Sequence, residues 1–87
     1  MTNTFKLEIL TPEQKFYTGE VEMVVVQTDK GEEGFMANHT WACKLLSAKS
    51  KLKVKEKGGK QLVGELSGGF IDVKDEVVVY TDNAEWK

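Results

Sequence analysis

The chain has 87 residues, with 12 lysines and no arginine against 14 acids and one histidine, for a formal charge of −2. That length holds one domain; a hydrophobic share of 40% supports one small core, and 30% charged residues at so low a net charge do not describe a disordered chain. The missing arginine removes bidentate recognition of phosphate or guanine, one cysteine excludes an internal disulfide or a cysteine-based zinc site, and neither a membrane-length apolar run nor a signal-peptide pattern is present.

Alternation with a period of two dominates the pattern. Phe5-Lys6-Leu7-Glu8-Ile9 puts its apolar residues at 5, 7 and 9, which predicts a half-buried strand. Thr11-Pro12-Glu13-Gln14 breaks it, with Pro12 as turn former. A second extended stretch runs from about Lys15 to Thr28, interrupted at Thr18-Gly19, and Val24-Val25-Val26 predicts cover on both faces. Asp29 to Gly34 reads as a turn or loop by composition, Phe35-Met36 as a short strand, and Asn38-His39-Thr40 as another loop. Trp41 to Leu46 fits a strand or a short helical turn equally. Ser50 to Lys57 alternates cleanly, with Leu52 and Val54 on one face and Lys49, Lys51, Lys53, Lys55 and Lys57 on the other. Gly58-Gly59 predicts a hairpin, Gln61 to Leu66 leads out of it, and Ser67-Gly68-Gly69 marks a bulge or a close backbone approach. Phe70 to Val73 and Val77 to Tyr80 are the last strands, with Asp82 to Lys87 as a polar tail. The sum is seven to nine short strands at spacings of about 8–12 residues, the pattern of an all-β sandwich or barrel.

Catalytic chemistry finds little purchase. His39 has no second His or Cys at ligand spacing, and nucleophilic catalysis would need it paired with Cys43 or a serine. Cys43 reads instead as a small buried apolar residue, and His39 as a surface-loop side chain. Neither glycine pair opens a phosphate-binding loop. Charge is uneven: residues 44–60 carry seven Lys and one Glu, while 1–43 hold three Lys and seven acids and 61–87 two Lys and six. Five lysines on one strand face could track a phosphate backbone, which makes a small β-barrel single-stranded nucleic-acid binder the alternative reading. No aromatic is interleaved for base stacking, so a solvated face, or an edge strand guarded by lysine, is the simpler account. Glu32 and Glu33, on the glycine-flanked loop, are expected to be exposed and to meet a polar or basic partner loop.

The ordered motifs resemble the N-terminal β-sandwich of the epsilon subunit of F-type ATP synthase, called delta in mitochondria. They are Phe5-Lys6-Leu7-Glu8-Ile9-Leu10 with Thr11-Pro12-Glu13, Phe16 to Val21, Met23 to Val26, Gly31-Glu32-Glu33-Gly34-Phe35-Met36 with Asn38-His39, Ser67-Gly68-Gly69-Phe70-Ile71-Asp72-Val73, and Val77 to Glu85, in family order over nearly the whole chain. The resemblance implies one all-β domain over residues 1–87, ordered from about 4 to 82 with a tail at 83–87, as a two-sheet sandwich of about ten strands. It further implies a non-catalytic, cofactor-free rotor subunit that bridges the gamma stalk and the c-ring loops and couples proton or sodium flow to ATP chemistry elsewhere. Such a subunit is peripheral on the cytoplasmic face of the membrane, does not insert into it, and is a monomer when isolated. Residue by residue, the resemblance points Gly31, Glu32 and Glu33 toward the c-ring and Thr11, Asn38 and His39 toward gamma, with no catalytic, metal or nucleotide residues. Two departures stand out. The family's Pro-Gly-His and its following small residues and prolines read here Ala37-Asn38-His39-Thr40-Trp41-Ala42, and its Pro-Gly turn before the basic strand reads Lys49-Ser50. The family's C-terminal helical hairpin would begin where this sequence stops, so a short member or a single domain, without ATP binding, is expected.

Overall fold

In a computed structural model of the chain, residues 3–38 and 40–87 are described. They form nine strands: β1 (Phe5–Leu10), β2 (Lys15–Thr28), β3 (Gly31–Met36), β4 (Ala42–Leu45), β5 (Ser50–Glu56), β6 (Gln61–Leu66), β7 (Phe70–Val73), β8 (Val77–Tyr80) and β9 (Ala84–Trp86). Nine strands stand against the ten or so implied by the resemblance. Hydrogen bonds link them in the order β4-β7-β8-β1-β2-β5-β6-β9, with β3 paired to β2 off this path. All pairs are antiparallel except β1 with β8.

The alternating pattern makes this architecture. Leu7 and Ile9 of β1, Leu52 and Val54 of β5, Leu66 of β6, Ile71 and Val73 of β7, and Val77 and Val79 of β8 all turn inward, each 2% exposed or less. They join Val21, Val24 and Val26 of β2 in a single core cluster. Burying one face of every strand forces the sheet to fold over on itself, since side chains on a strand alternate between its faces. The 14-residue β2 belongs to both layers. Its first half pairs with β1 and its second half with β3 and β5, and the register shifts between Val21 and Met23.

The far end of β2 returns to the first layer. Thr28 bridges Leu46, the Leu46 N–H donates to the Gly69 carbonyl at 2.9 Å, and the Ser47 N–H donates to the Gln27 carbonyl at 3.0 Å. On the other side, the Thr81 N–H donates to the Leu10 carbonyl at 3.0 Å. These bonds put the Thr11 turn and the β2–β3 hairpin tip at one end of the sandwich.

Four local expectations are corrected. Gly31 to Gly34 is strand, not loop, because the backbone of Val25–Thr28 pairs with it residue for residue and this pairing overrides the loop-like composition. Only Asp29-Lys30 turn, and Gly31 leaves the turn at φ 103, a conformation strained for any L side chain. Cys43 is exposed rather than buried, because β4 sets Ala42 and Lys44 inward and Cys43 and Leu45 outward. The polar tail contains β9, whose pairing with Gly64–Leu66 completes the ladder of β6. The lysine-rich β5 is no edge strand, since β2 and β6 flank it.

Candidate functional site

Thr11 caps its own turn. Its hydroxyl donates to the Gln14 carbonyl at 3.1 Å and accepts from the Gln14 N–H at 3.2 Å, the local bonding that makes threonine a turn residue. Beside it lies an open groove of about 410 Å³ lined by Leu10, Pro12, Gly69, Phe70, Tyr80 and Thr81 among others. The registers Leu45↔Phe70 and Phe70↔Tyr80, then Tyr80↔Leu10, set these four side chains in one row across β4, β7, β8 and β1. Leu45 is 73% exposed, and the Phe70 and Tyr80 rings stack with centroids 4.8 Å apart. Large apolar side chains left exposed on three adjacent strands, here β4, β7 and β8, are a feature of contact surfaces.

Asn38 lies elsewhere. It stands with Asn3, Thr4, Phe5, Lys74 and Asp75 around a second, polar cavity, at the opposite end of β1 from Thr11. A six-residue strand spans roughly 17–20 Å, so Thr11 and Asn38 share no single cluster. Asn38 has φ 66, a left-handed conformation that asparagine tolerates better than most residues. His39 lies outside the described residues, so its place in this loop is not described.

The acidic pair separates by strand geometry. Glu32 points outward and is exposed, beside Gly34 and Met36 on the same face of β3. Glu33 points inward with Phe35, and its carboxylate receives the Thr28 hydroxyl and the Lys44 ammonium, each at 2.5 Å. The Lys44 ammonium, and then the Thr28 hydroxyl, hold the Glu33 carboxyl below its ordinary range.

The lysine stripe is interleaved with acids. Lys51 and Lys53 are exposed, Lys55 is 3.6 Å from Glu22, and Lys51 sits opposite Glu65. The exposed aromatic pair of Phe70 and Tyr80 belongs to the other layer, and partly exposed Trp86 pairs with Gly64 of β6, which stands opposite buried Leu52 rather than opposite a lysine. Among the described residues no group of three or more His, Cys, Asp or Glu is arranged to hold a metal ion, and no helix is long and apolar enough to cross a membrane. Two surfaces stand out at one end of the sandwich: an apolar row with the Thr11 turn, and an acid-bearing hairpin. Sequence reading singled out Thr11, Gly31, Glu32 and Glu33 but missed Leu45, Phe70, Tyr80 and Lys44. Their significance depends on cross-strand register, which no local pattern carries.

Known proteins match this chain over nearly its whole length. The ATP synthase epsilon chains of Alkaliphilus oremlandii and Caldanaerobacter subterraneus are 39% and 38% identical, each over 99% of this chain. The chain spans 63% and 62% of those curated relatives. A chain in the cryo-EM structure of Euglena gracilis mitochondrial ATP synthase (OSCP/F1/c-ring, rotational state 1) superposes with a TM-score of 0.88 at 27% identity, covering 95% of this chain and 53% of that one. A chain from the central stalk and c-ring of Tetrahymena thermophila mitochondrial ATP synthase shares the fold at a TM-score of 0.77 and 12% identity, covering 97% of this chain and 67% of that one. The family model of the ATP synthase delta/epsilon chain β-sandwich domain matches residues 4–87, and the chain belongs to that family.

Proposed function

We propose that this chain is the β-sandwich of an epsilon-type central-stalk subunit of an F-type ATP synthase. It binds the gamma subunit and the c-ring loops, carries no catalytic residues, and couples ion flow to ATP chemistry performed elsewhere in the complex. The observation that carries this reading is the family match across the entire sandwich, residues 4–87. The geometry is compatible with it, since a closed core with two contact surfaces at one end suits a rigid joint better than an active site.

In this reading Gly31 and Glu32 face the polar loops of the ring, and the Thr11 turn faces gamma. The apolar row of Leu45, Phe70 and Tyr80 continues the Thr11 surface and enlarges the gamma contact. Asn38 joins that contact only if gamma runs along the length of β1, roughly 20 Å. The subunit is peripheral, on the cytoplasmic face of the membrane that holds the complex.

Native mass spectrometry of the chain with its cognate gamma subunit tests the reading. The expected result is a one-to-one complex that Leu45→Lys with Tyr80→Lys abolishes while the far-ultraviolet circular dichroism stays unchanged. No complex between the intact partners would refute the gamma assignment. A complex indifferent to the double change would move the contact to another surface.

A further inference from the structure

Glu32 and Glu33 are adjacent in sequence and cannot act alike, because neighbours on a strand face opposite sides. Glu33 faces into the sandwich, where, among the described residues, β3 pairs through its backbone with β2 and β4 with β7. Among the described residues, beyond the Thr28–Leu46 bridge and its Ser47–Gln27 backbone bond, no backbone ladder joins the hairpin to β4. What spans this edge is the Glu33 carboxylate, with one oxygen on the Thr28 hydroxyl and the other on the Lys44 ammonium. Lys44 is an inward residue of β4, in register with buried Ile71, and its ammonium reaches the seam.

We propose that Glu33, Thr28 and Lys44 form a clasp across the open edge of the sandwich, fixing the β2–β3 hairpin tip to the strand that begins the apolar row, so that of the two adjacent glutamates Glu32 is the one offered to a partner. Leu45 adjoins Lys44 in β4, so the clasp joins the two contact surfaces directly. A displacement of the hairpin tip is then felt at Leu45 without passing through the whole core. This inference rests on the proposed rotor role for its purpose but not for its existence. Every contact of the clasp is made between residues of this chain.

Amide hydrogen exchange of the isolated 87-residue chain, read by mass spectrometry or NMR, provides the test. Glu33→Ala and Lys44→Ala should each speed exchange of Ala42–Leu45 and of the Thr28–Gly31 turn by about fivefold, the scale of a partly covered ion pair. The double variant should be no worse than either single change. The charge swap Glu33→Lys with Lys44→Glu should return most of the protection, and Glu32→Ala should leave exchange untouched. Strictly additive single effects, unchanged β4 exchange, or an effect of Glu32→Ala equal to that of Glu33→Ala would overturn the clasp. Should an alanine variant unfold, Thr28→Val removes one arm of the clasp with little change of volume. Faster β4 exchange in it supports the clasp, and unchanged exchange refutes it. Failure of gamma binding with the exchange pattern intact would sink the rotor reading and leave the clasp standing.

Discussion

Gly69 is the position where one methyl group should do the most damage. A Cβ built there would lie 1.8 Å from the Tyr80 carbonyl oxygen and 2.8 Å from the Thr81 Cα, both backbone atoms that no rotamer change can move. The residue also holds φ 98, outside the range L side chains adopt readily. Gly69→Ala therefore carries a conformational strain of about 1–3 kcal/mol. It must also part the start of β7 from the end of β8, near the Leu46–Gly69 and Thr81–Leu10 backbone bonds. Losing or weakening one or two such bonds adds about 1–2 kcal/mol. A total of about 2–5 kcal/mol takes a large part of the 5–15 kcal/mol typical of a whole domain. At about 4–8 °C per kcal/mol for a chain this size, the melting temperature should fall by at least about 8 °C. Gly68 is the internal control: it also has positive φ, 64, but nothing stands within 4 Å of its Cβ position. Gly68→Ala should cost about 1 kcal/mol, from the left-handed backbone alone. Thermal and urea unfolding of the two variants gives the comparison. Equal losses would refute the close-approach argument and reduce the Gly-Gly pair to an ordinary turn.

Further outcomes are expected at other sites. Tyr17 donates to Glu56 at 2.6 Å, so Tyr17→Phe should cost about 1–3 kcal/mol in urea unfolding, since it strips a carboxylate of its partner. Burial, and then the Glu56 carboxylate, push the Tyr17 hydroxyl far above its ordinary value of 10.0. The fold holds it neutral, so this contribution is complete below pH 10 and is lost as pH rises past the unfolded value; tyrosinate absorbance from Tyr17 should appear only with alkaline unfolding. Glu33 shows the opposite sign, because Lys44 holds its carboxyl below the ordinary 4.5. Its contribution is present above pH 4.5 and lost as pH falls through the depressed folded value, so Lys44→Met should flatten the acid limb of the stability curve. Trp86 packs on Phe16 and Tyr17 with centroids at 4.9 and 5.6 Å; Trp86→Ala should release β9, detected as fast exchange at Ala84 and Glu85, and cost about 1–3 kcal/mol. Single-stranded DNA titrated against the chain at low salt should show no saturable binding that Lys51→Gln with Lys53→Gln removes; such binding would revive the nucleic-acid reading.

How far the sequence reaches shows in the acidic hairpin. Val24 to Thr28 announces itself as strand by β-branching, but Gly31-Glu32-Glu33-Gly34 has the composition of a loop and folds as its partner. Strand pairing is a contact between segments, and a two-residue turn at Asp29-Lys30 delivers it whatever the propensity of the second segment. The same limit hid β9. Ala84-Glu85-Trp86 carries almost no alternation, and its strand exists because β6 offers an open edge and Trp86 finds Phe16 and Tyr17. Cys43 was misread for a related reason: a four-residue strand has two possible phases, and the packing of β4 on β7 chose the one that turns Cys43 outward.

The amino-acid order alone determined the all-β class, the inward faces of β1 and β5, the family resemblance, and the turn at Thr11. Each of these is written in spacing along the chain, which the period-two geometry of a strand converts directly into sidedness. Only the folded molecule decided that Thr11 and the acidic hairpin share an end while Asn38 lies at the other, that Leu45, Phe70 and Tyr80 form one row, and that Glu33 is bonded across a seam. Those relations are set by register between segments far apart in sequence, where a shift of one residue exchanges the buried face for the exposed one.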